Sequence, residues 1–417
     1  MNRRALFPAI AVAVGIPLVT AATQIKPLTT SLQTQSTALV PVIEIPFELI
    51  NRHIFLKVKV NNSRPLSFVL DTGDRFAIIS LDRAKELGLK LQGEVRMGGA
   101  GAALSTGAFV REASFTIPGI PGFTQPVNLA LPIGKIASGL GQDFDGIIGA
   151  EFIKEFVVEI DYQAQRIRLH DKNQFKYSGP GESIPIEIDL AGHGAGHPSL
   201  EAQVTPVGGA PIRGRFVLDI GSGGALALHS PFVTAHRLPG PTMKTIKAFG
   251  AGAGGEISGQ IGRVSELQIG KFKINSPTAM FSQDKAGAFA NPDLAGNIGT
   301  QITSKFKLFL DYGHDRIIFE PNSSFAEPFD RASAGLRLQA EGGDYRTFRV
   351  KDVLENSPAS EAGMKAGDII TAIDGRSAAE FTLTKINEMF ERPVSYKLTL
   401  QRGEQLVTLT LAPRKLV

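Results

Sequence analysis

The sequence predicts a mainly β protein made of two similar units in tandem, followed by a smaller α+β module. Three observations lead to this prediction. The chain has 45 glycines among many short apolar runs, a composition typical of strands joined by tight turns. Segments of its first part recur 148 to 150 residues further on, which indicates two copies of one fold. Beyond residue 334 the pattern of apolar residues and turns changes, so a different domain is expected there.

Bulk composition narrows the classes of function. At 417 residues the chain is long enough for two or three domains, each with its own core. The net charge is only +4 and the basic residues are scattered, so no nucleic-acid partner is expected. The absence of cysteine excludes disulfides, thiolate metal sites and a cysteine nucleophile.

The N-terminal residues 1–22 have the pattern of an export signal. Arg3 and Arg4 precede the apolar stretch 5–20, and Thr20-Ala21-Ala22 offers small residues for cleavage. We therefore expect an exported protein, periplasmic or secreted, without a transmembrane domain in the mature chain. An uncleaved N-terminal membrane anchor is the alternative, and the shortness of the apolar stretch argues against it.

The first unit is expected over residues 41–178, after a flexible leader at 23–40 that is rich in Thr, Ser and Gln. Its third strand runs directly into Asp71. The predicted elements are strands 47–50, 53–60 and 66–70, a helix over 80–87 that is capped by Ser80 and ended by Gly88, and the glycine-rich stretch 97–107 with a following strand.

The second unit, residues 179–322, repeats this order, and here the third strand runs into Asp219. The predicted elements are strands 184–190, 200–204 and 212–218, a helix over 230–238, the glycine-rich stretch 250–259, and strands 264–269, 306–310 and 316–319.

Two motifs recur in both units. Ser-Phe-Val-Leu-Asp-Thr-Gly (67–73) corresponds to Arg-Phe-Val-Leu-Asp-Ile-Gly (215–221). Asp-Gly-Ile-Ile-Gly-Ala-Glu-Phe (145–152) corresponds to Ala-Gly-Asn-Ile-Gly-Thr-Gln-Ile (295–302). Each unit therefore carries one aspartate at the end of an apolar strand, and a pseudo-twofold arrangement of the units would bring the two carboxylates together.

A candidate linker, residues 323–332, precedes the C-terminal module at 333–417. Ser357 as a cap, Pro358 in the first helical position and Gly363 beyond the end predict a short helix. A second helix is expected over 382–390, and closing strands over 394–400 and 405–411.

The paired motifs resemble those of the pepsin and retropepsin superfamily of aspartic proteases, and the short lobes are similar to bacterial retropepsin-like proteins with both lobes in one chain. The resemblance covers residues 47–320. It implies two pseudo-twofold-related acid-protease β-barrel lobes, with Asp71 and Asp219 as the catalytic residues. The chemistry agrees, because two buried carboxylates in near contact share one proton. One of them can then activate a water molecule while the other protonates the substrate carbonyl.

The resemblance also implies a set of residues that support the two acid loops, the turns that contain Asp71 and Asp219: Thr72, Gly73, Gly221 and Ser222. The glycines let the backbone approach the carboxylates closely. Where the superfamily has a second loop threonine, this chain has Ile220, which cannot donate a hydrogen bond, and Ser222 is the candidate replacement. Asp74 is expected to be a solvated loop charge, with a position inside the site as the alternative.

The glycine-rich stretches 97–107 and 250–259 stand where the superfamily places a flap hairpin, which closes over the substrate. Ordinary hairpin loops are the alternative.

The C-terminal module resembles a PDZ domain of the bacterial, export-associated kind, through Gly335-Leu336-Arg337-Leu338, Ser357-Pro358-Ala359 and Gly367-Asp368. Such domains bind an extended or C-terminal peptide by strand addition. The implied peptide-binding residues are Gly335, Leu336, Arg337, Leu338, Ile386 and Phe390. A closed groove, with the module only packed against the lobes, is the alternative.

Two functions follow from these patterns. The first is an exported aspartic endopeptidase that acts on polypeptides and uses its PDZ domain for peptide recognition. The second is a non-catalytic peptide-binding or scaffold protein on a degenerate protease fold, which Ile220 favours. No cofactor is expected. No metal is expected either, because His193 and His197 lie on a glycine-rich loop without a carboxylate ligand beside them.

Overall fold

The computed structural model describes residues 42–188, 196–247, 250–329 and 332–417. Within these ranges the protein is mainly β, with two lobes that follow the sequence repeat and a C-terminal α+β module. The expected export signal, the leader and His193 lie outside the described residues. None of the described helices has the length and apolar character needed to cross a bilayer.

The first lobe follows the expected order of elements. In its long strand over residues 53–60, Val58 and Val60 are buried while Lys57 and Lys59 are exposed. This alternation is that of a strand with one face on a core. The strands are β1 (Ile43–Pro46), β2 (Glu48–Ile50), β3 (His53–Val60), β4 (Leu66–Leu70), β5 (Ile78–Ser80), β6 (Lys90–Met97), β7 (Ser105–Arg111), β8 (Ser114–Thr116), β9 (Gln125–Pro126), β10 (Leu129–Leu131), β11 (Gly146–Ile148), β12 (Val157–Asp161) and β13 (Arg166–His170). The helices are α1 (Leu81–Glu86), α2 (Lys135–Leu140) and α3 (Ala150–Ile153).

The second lobe repeats these elements. Its strands are β14 (Glu182–Pro185), β15 (Ser199–Thr205), β16 (Ile212–Leu218), β17 (Leu226–Leu228), β18 (Ile246–Lys247), β19 (Ala251–Gly252), β20 (Gly255–Glu256), β21 (Gly259–Arg263), β22 (Glu266–Ile269), β23 (Phe272–Asn275), β24 (Thr278–Ser282), β25 (Gly296–Ile298), β26 (Phe306–Asp311) and β27 (Arg316–Pro321). Its helices are α4 (Ser230–Ala235) and α5 (Thr300–Thr303).

The C-terminal module has its own buried core. Its strands are β28 (Leu336–Glu341), β29 (Thr347–Val353), β30 (Ile369–Ile373), β31 (Arg376–Ser377), β32 (Tyr396–Arg402) and β33 (Gln405–Leu411), and its helices are α6 (Pro358–Glu361) and α7 (Leu383–Phe390). The hydroxyl of Ser357 accepts a hydrogen bond from the Ser360 N–H, so the expected cap of α6 is present.

One six-stranded sheet joins the two lobes, in the order β1-β13-β12-β26-β27-β14. Three strands come from each lobe, and the order in one half mirrors the order in the other. The lobes meet where β12 pairs with β26, with Val158 opposite Leu310 and Ile160 opposite Leu308. The pseudo-twofold axis predicted from the repeat therefore passes between these two strands.

Each lobe places its apolar-Gly motif directly beside its aspartate motif. β11 runs parallel to β4, and β25 runs parallel to β16. Gly146 is required here, because a Cβ atom at this position would lie 2.3 Å from the ring of Phe68. The neighbouring strand therefore fixes the position of the carboxyl ends of β4 and β16, which the two aspartates follow.

Two helix ends differ from the sequence-based expectation. Helix α1 begins after Ser80 as expected, but the Ser80 hydroxyl makes no capping hydrogen bond, so that prediction was wrong. Helix α4 ends at Ala235 rather than at Leu238. Arg237 has a φ of 53°, and a left-handed residue cannot continue a helix.

Candidate active site

Asp71 and Asp219 occupy equivalent positions in the two lobes. The backbone N–H of Asp71 donates to the Ile148 carbonyl at 3.0 Å, and that of Asp219 donates to the Ile298 carbonyl at 2.9 Å. The parallel neighbouring strand thus fixes the start of each acid loop. Both aspartates are half-buried.

The two carboxylates flank one point in space. A Cβ atom added to Gly73 would lie 3.0 Å from Asp71 Oδ1 and 3.2 Å from Asp219 Oδ1. A Cβ atom added to Gly221 would lie 2.1 Å from Asp71 Cγ, closer than any side chain permits. The predicted support by Gly73 and Gly221 therefore has a physical basis, since the loops cross at a distance that only glycine tolerates.

The surroundings favour one shared proton on the pair. Burial raises the pKa of Asp71 well above its usual range, and the negative charges of Asp219 and Asp74 raise it further, against the backbone N–H groups of Gly73 and Gly221. Burial also raises the pKa of Asp219, but a side-chain hydrogen bond from Asn297 opposes this effect. Asn297 Nδ2 donates to Asp219 Oδ2 at 2.6 Å, and the Gly73 N–H donates to Asp71 Oδ1 at 2.7 Å.

Asp74 does not behave as the solvated loop charge that we expected. It is half-buried, and burial together with the charge of Asp219 raises its pKa to about 6. The site therefore contains a third carboxyl group, whose negative charge raises the pKa of Asp71.

Thr72 links the two acid loops through its side chain. Its side chain is fully buried, its hydroxyl donates to the Leu218 carbonyl at 2.5 Å, and it accepts from the Ile220 N–H at 3.0 Å. The Ile220 side chain is itself fully buried. Among the described residues, no hydrogen bond joins the Ser222 hydroxyl to the first loop, and Ser222 instead contributes a backbone N–H that lowers the pKa of Asp219.

The two glycine-rich hairpins meet tip to tip. The Ala103 N–H donates to the Gly254 carbonyl at 2.8 Å, and the Gly254 N–H donates to the Ala100 carbonyl at 2.8 Å. The Ser105 hydroxyl adds a bond of 2.7 Å to the Ala253 carbonyl. The lobes are thus joined by these tips as well as by the acid loops and the shared sheet.

The predicted peptide-binding residues of the C-terminal module lie together at the junction of β28 and α7. Gly335 has a φ of 71°, and Leu336 and Arg337 are half-buried. Leu338, Ile386 and Phe390 are 5%, 0% and 5% exposed, within the core of the module. Peptide binding by these six residues stays a prediction.

Strand β28 is an edge strand, and the first lobe covers its surroundings. Helix α2 lies against β28. A Cβ atom on Gly141, at the end of α2, would lie 2.5 Å from Leu383 Cβ at the start of α7. Tyr345 of the module also donates to Asp143 at 3.4 Å, so the segment 135–143 occupies the approach to the edge.

Further contacts hold the module against both lobes. Arg52 forms an ion pair with Glu391, and Asn387 donates to the Asn51 side chain at 3.2 Å. Arg337, from the predicted carboxylate-binding loop, pairs with Asp352 at 2.6 Å and lies 3.3 Å from Glu256 of the second hairpin.

Sequence reasoning missed two functional candidates, Asn297 and His229. Asn297 contacts Asp219, and His229 Nε2 lies 2.8 Å from Asn297 Oδ1. The signal was present in the repeat, because the first copy of the motif has Ile147 where the second has Asn297. A polar residue that replaces an apolar one inside a duplicated buried strand needs a polar partner.

Comparisons with known proteins agree with the arrangement of domains. Residues 56–152 match the family model of aspartyl proteases, and residues 324–401 match that of PDZ domains. The chain therefore contains an aspartyl protease domain and a C-terminal PDZ domain. No curated protein matches the sequence.

Two solved structures are similar to parts of the chain. Basic 7S globulin from soybean is 10% identical, with 68% of this chain and 95% of that chain covered and a TM-score of 0.39. The photosystem II D1 C-terminal processing protease is 23% identical, with 21% of this chain and 24% of that chain covered and a TM-score of 0.20.

Proposed function

We propose that this protein is an exported aspartic endopeptidase that hydrolyses polypeptides and uses its PDZ domain for peptide recognition. The observation that carries the proposal is that one carboxylate from each lobe lies beside Gly73, at 3.0 and 3.2 Å from the position that a Cβ atom on this residue would take. Raised pKa values on both acids mean that the pair retains a proton where ordinary carboxyl groups have lost theirs.

The chemistry follows from the shared proton. The ionised carboxylate takes a proton from a water molecule held between the pair, and the oxygen attacks the peptide carbonyl carbon. The protonated carboxyl gives its proton to the carbonyl oxygen, which produces a neutral tetrahedral diol. Collapse of the diol breaks the C–N bond: the acid that received the water proton protonates the leaving nitrogen, and the other acid takes a proton back from the diol. No metal and no covalent intermediate are needed.

The glycine-rich hairpins suit a polypeptide substrate. Their tips expose backbone N–H and C=O groups that now pair with each other. When the tips separate, the same groups are available to an extended peptide, which pairs through its main chain. Closure then excludes water from the reacting bond.

Substitution of the two aspartates tests the proposal. We expect Asp71→Asn and Asp219→Asn, each alone, to lower the cleavage of an unfolded polypeptide by about 10²–10⁴-fold, because each removes one partner of the proton exchange. Asp82→Asn, at an exposed position of α1, is the matched control and should cleave normally. Full turnover in both active-site variants would exclude this function.

Export is supported by the pattern of residues 1–22 alone. N-terminal sequencing of the protein from the periplasmic fraction should find a chain that begins close to residue 23. A full-length chain in the cytoplasmic fraction would contradict export.

A non-catalytic peptide-binding protein is the second candidate, and Ile220 favours it. The superfamily resemblance implies a threonine in each acid loop, whereas here one hydroxyl serves both. If the wild type and both Asp→Asn variants bind peptide equally and none of them cleaves it, this second function is the correct one.

A further inference from the structure

The two lobes share one backbone but surround their aspartates with different chemistry. In the first lobe Ile147 lies between Val69 and Ile78 of the neighbouring strands. In the second lobe Asn297 lies between Val217 and Ala227, in the same register. The two lobes therefore have the same backbone arrangement here and differ in the side chain at the equivalent position.

The same holds for the position that contacts Asn297. The N–H of His229 donates to the Ala295 carbonyl at 2.9 Å, and the N–H of Ser80 donates to the Asp145 carbonyl at 2.7 Å. These two residues precede α4 and α1, so they correspond. Only the second lobe has a histidine here.

We propose that His229 and Asn297 form a hydrogen-bonded relay to Asp219 that fixes Asp219 as the ionised base and leaves the proton on Asp71. Both are positioning residues, because they act through Asp219. The assignment of catalytic roles rests on the proposed function, whereas the relay itself does not.

Donor and acceptor chemistry sets the direction of the relay. Asn297 directs its Nδ2 group to Asp219 Oδ2, at 2.6 Å, and an amide N–H pairs best there with an ionised carboxylate, which only accepts hydrogen bonds. Its Oδ1 atom then faces His229 Nε2 at 2.8 Å, and that nitrogen must carry the hydrogen. Asn297 and His229 are only 9% and 1% exposed, so water cannot substitute for either partner. The amide is held in the one orientation that stabilises negative charge on Asp219.

The other charged and titratable neighbours give the same asymmetry. Each aspartate accepts two backbone N–H bonds, Asp71 from Gly73 and Gly221 and Asp219 from Gly221 and Ser222, so these bonds do not distinguish the two acids. The negative charges of Asp219 and Asp74 raise the pKa of Asp71. The phenol of Tyr312 also lies near Asp71, and burial raises the pKa of that phenol.

Two histidines complete the surroundings. His53 bonds to the Gly221 backbone, and His197 lies close enough to His229 for a proton on His229 to lower the pKa of His197. Burial lowers the pKa of all three histidines and so favours the neutral form of His229.

The relay determines which carboxyl performs which step. Asp219 accepts the proton of the attacking water and later passes it to the leaving nitrogen. Asp71 protonates the carbonyl oxygen and recovers a proton when the tetrahedral diol collapses.

Carboxyl-carbon NMR of the full chain labelled with ¹³C-aspartate tests the relay without any need for turnover. Asp71→Asn and Asp219→Asn assign the two signals. In the wild type we expect the first proton release of the pair, on raising the pH, to be seen mainly at the Asp219 carbon. Asn297→Ile, which copies the first lobe, should raise the pH of this step by about one unit, the effect of one lost hydrogen bond to a charged group.

Substitutions of His229 separate a relay from simple packing. His229→Ser, the residue of the first lobe, should raise the same titration by a smaller amount, because Asn297 remains but is no longer oriented. His229→Gln keeps an amide donor and should restore the wild-type value. If Asn297→Ile does not fold, the same titration is measured on Asn297→Leu, His229→Ser and His229→Gln. Ile147→Val, the matched control in the first lobe, should leave the titration unchanged.

Two results would overturn the relay: a first release at Asp71 in the wild type, or an Asp219 titration that Asn297→Ile leaves unmoved. If cleavage is observed, the acidic limb of the kcat/KM profile should shift upward by about one pH unit in Asn297→Ile, since Asp219 must be ionised for activity. A wild type that cleaves nothing but shows the expected titrations would reject the protease and retain the relay.

Discussion

The side chain of Thr72 connects the two acid loops. The Thr72 hydroxyl uses its hydrogen on the Leu218 carbonyl and accepts from the Ile220 N–H, at 2.5 and 3.0 Å. Ile220 offers only a buried apolar side chain in return. The side chain that links the two loops therefore comes from the first lobe, and the second lobe contributes only backbone groups to these hydrogen bonds.

Thr72→Val tests this dependence. The substitution keeps the shape of the side chain but leaves a buried carbonyl and a buried N–H without a partner, so we expect the free energy of unfolding to fall by about 1–3 kcal/mol. Urea denaturation measures the loss. Ile220→Val is the control on the other loop and should cost only about 0.5–1.5 kcal/mol, as a lost methylene does. Equal losses in the two variants would show that the hydroxyl is not the connecting group.

Asp74 adds negative charge next to Asp71 and Asp219. Its pKa of about 6 means that it is ionised at neutral pH, where its charge helps Asp71 to keep its proton. We expect Asp74→Asn to lower the pKa of Asp71 and to move the alkaline limb of the kcat/KM profile to lower pH. An unmoved limb, with Asp82→Asn as the exposed control, would contradict this.

The same raised pKa also affects folding. A carboxyl group with a higher pKa in the folded state binds more protons there than in the unfolded chain, so stability falls as the pH rises from about 4 to 6. In Asp74→Asn this part of the decrease should be absent from urea denaturation series. An identical decrease in the wild type and the variant would show that Asp74 does not contribute.

Among the elements, the paired hairpins owe their close approach to glycine. Gly101 has a φ of 98°, and a Cβ atom there would lie 2.5 Å from the Gly254 carbonyl oxygen. Gly101 and Gly254 can approach each other this closely because neither has a Cβ atom. The glycine content of these stretches thus serves contact between lobes as well as hinge freedom.

Gly101→Ala should separate the tips. We expect the amide hydrogens of Ala103 and Gly254 to exchange about tenfold faster, which corresponds to the loss of about 1.4 kcal/mol of protection. Hydrogen exchange with mass spectrometry measures the change. Gly122→Ala, which has the same backbone strain at a φ of 70° but no atom within 4 Å, is the control. Similar exchange at the tips in both variants would rule out steric contact as the cause.

At the scale of the whole molecule, the first lobe occupies the edge of the PDZ domain to which a peptide would bind. Strand β28 offers the edge to which a peptide would add, and helix α2 lies against it. The ion pair between Arg52 and Glu391 holds the domain in this position. A peptide must therefore displace the segment 135–143 before it can bind in the expected way.

Gly141→Ala should weaken this cover. The added methyl group would lie 2.5 Å from Leu383, so the variant should populate an uncovered domain more often. The apparent affinity for a fluorescent peptide with an apolar C-terminus should rise several-fold, because the fraction of binding-competent molecules rises. Gly139→Ala, with no atom within 4 Å, is the control. Unchanged affinity in both variants would mean that α2 does not block the groove.

Much of the fold could be predicted from local pattern. The strand before Asp71, the repeat around Asp219, the cap at Ser357 and the helix that ends at Phe390 all depend on spacing within one segment, which the sequence displays directly. The lobe architecture followed from a duplication with nearly constant offset. The aspartyl protease and PDZ domains are confirmed by the matches of residues 56–152 and 324–401.

The rest depended on contacts between segments that are far apart in the chain. Asp74 looked like an ordinary loop charge, whereas in the folded protein its burial and the charge of Asp219 from the second lobe raise its pKa. Asn297 and His229 are 68 residues apart, so their bond could not be deduced from spacing. The order of residues along the chain is sufficient to show which residues end the strands and carry the acids. How the acids differ and what covers the peptide edge follow only from the folded chain, because burial, hydrogen-bond direction and steric access exist only once distant segments meet.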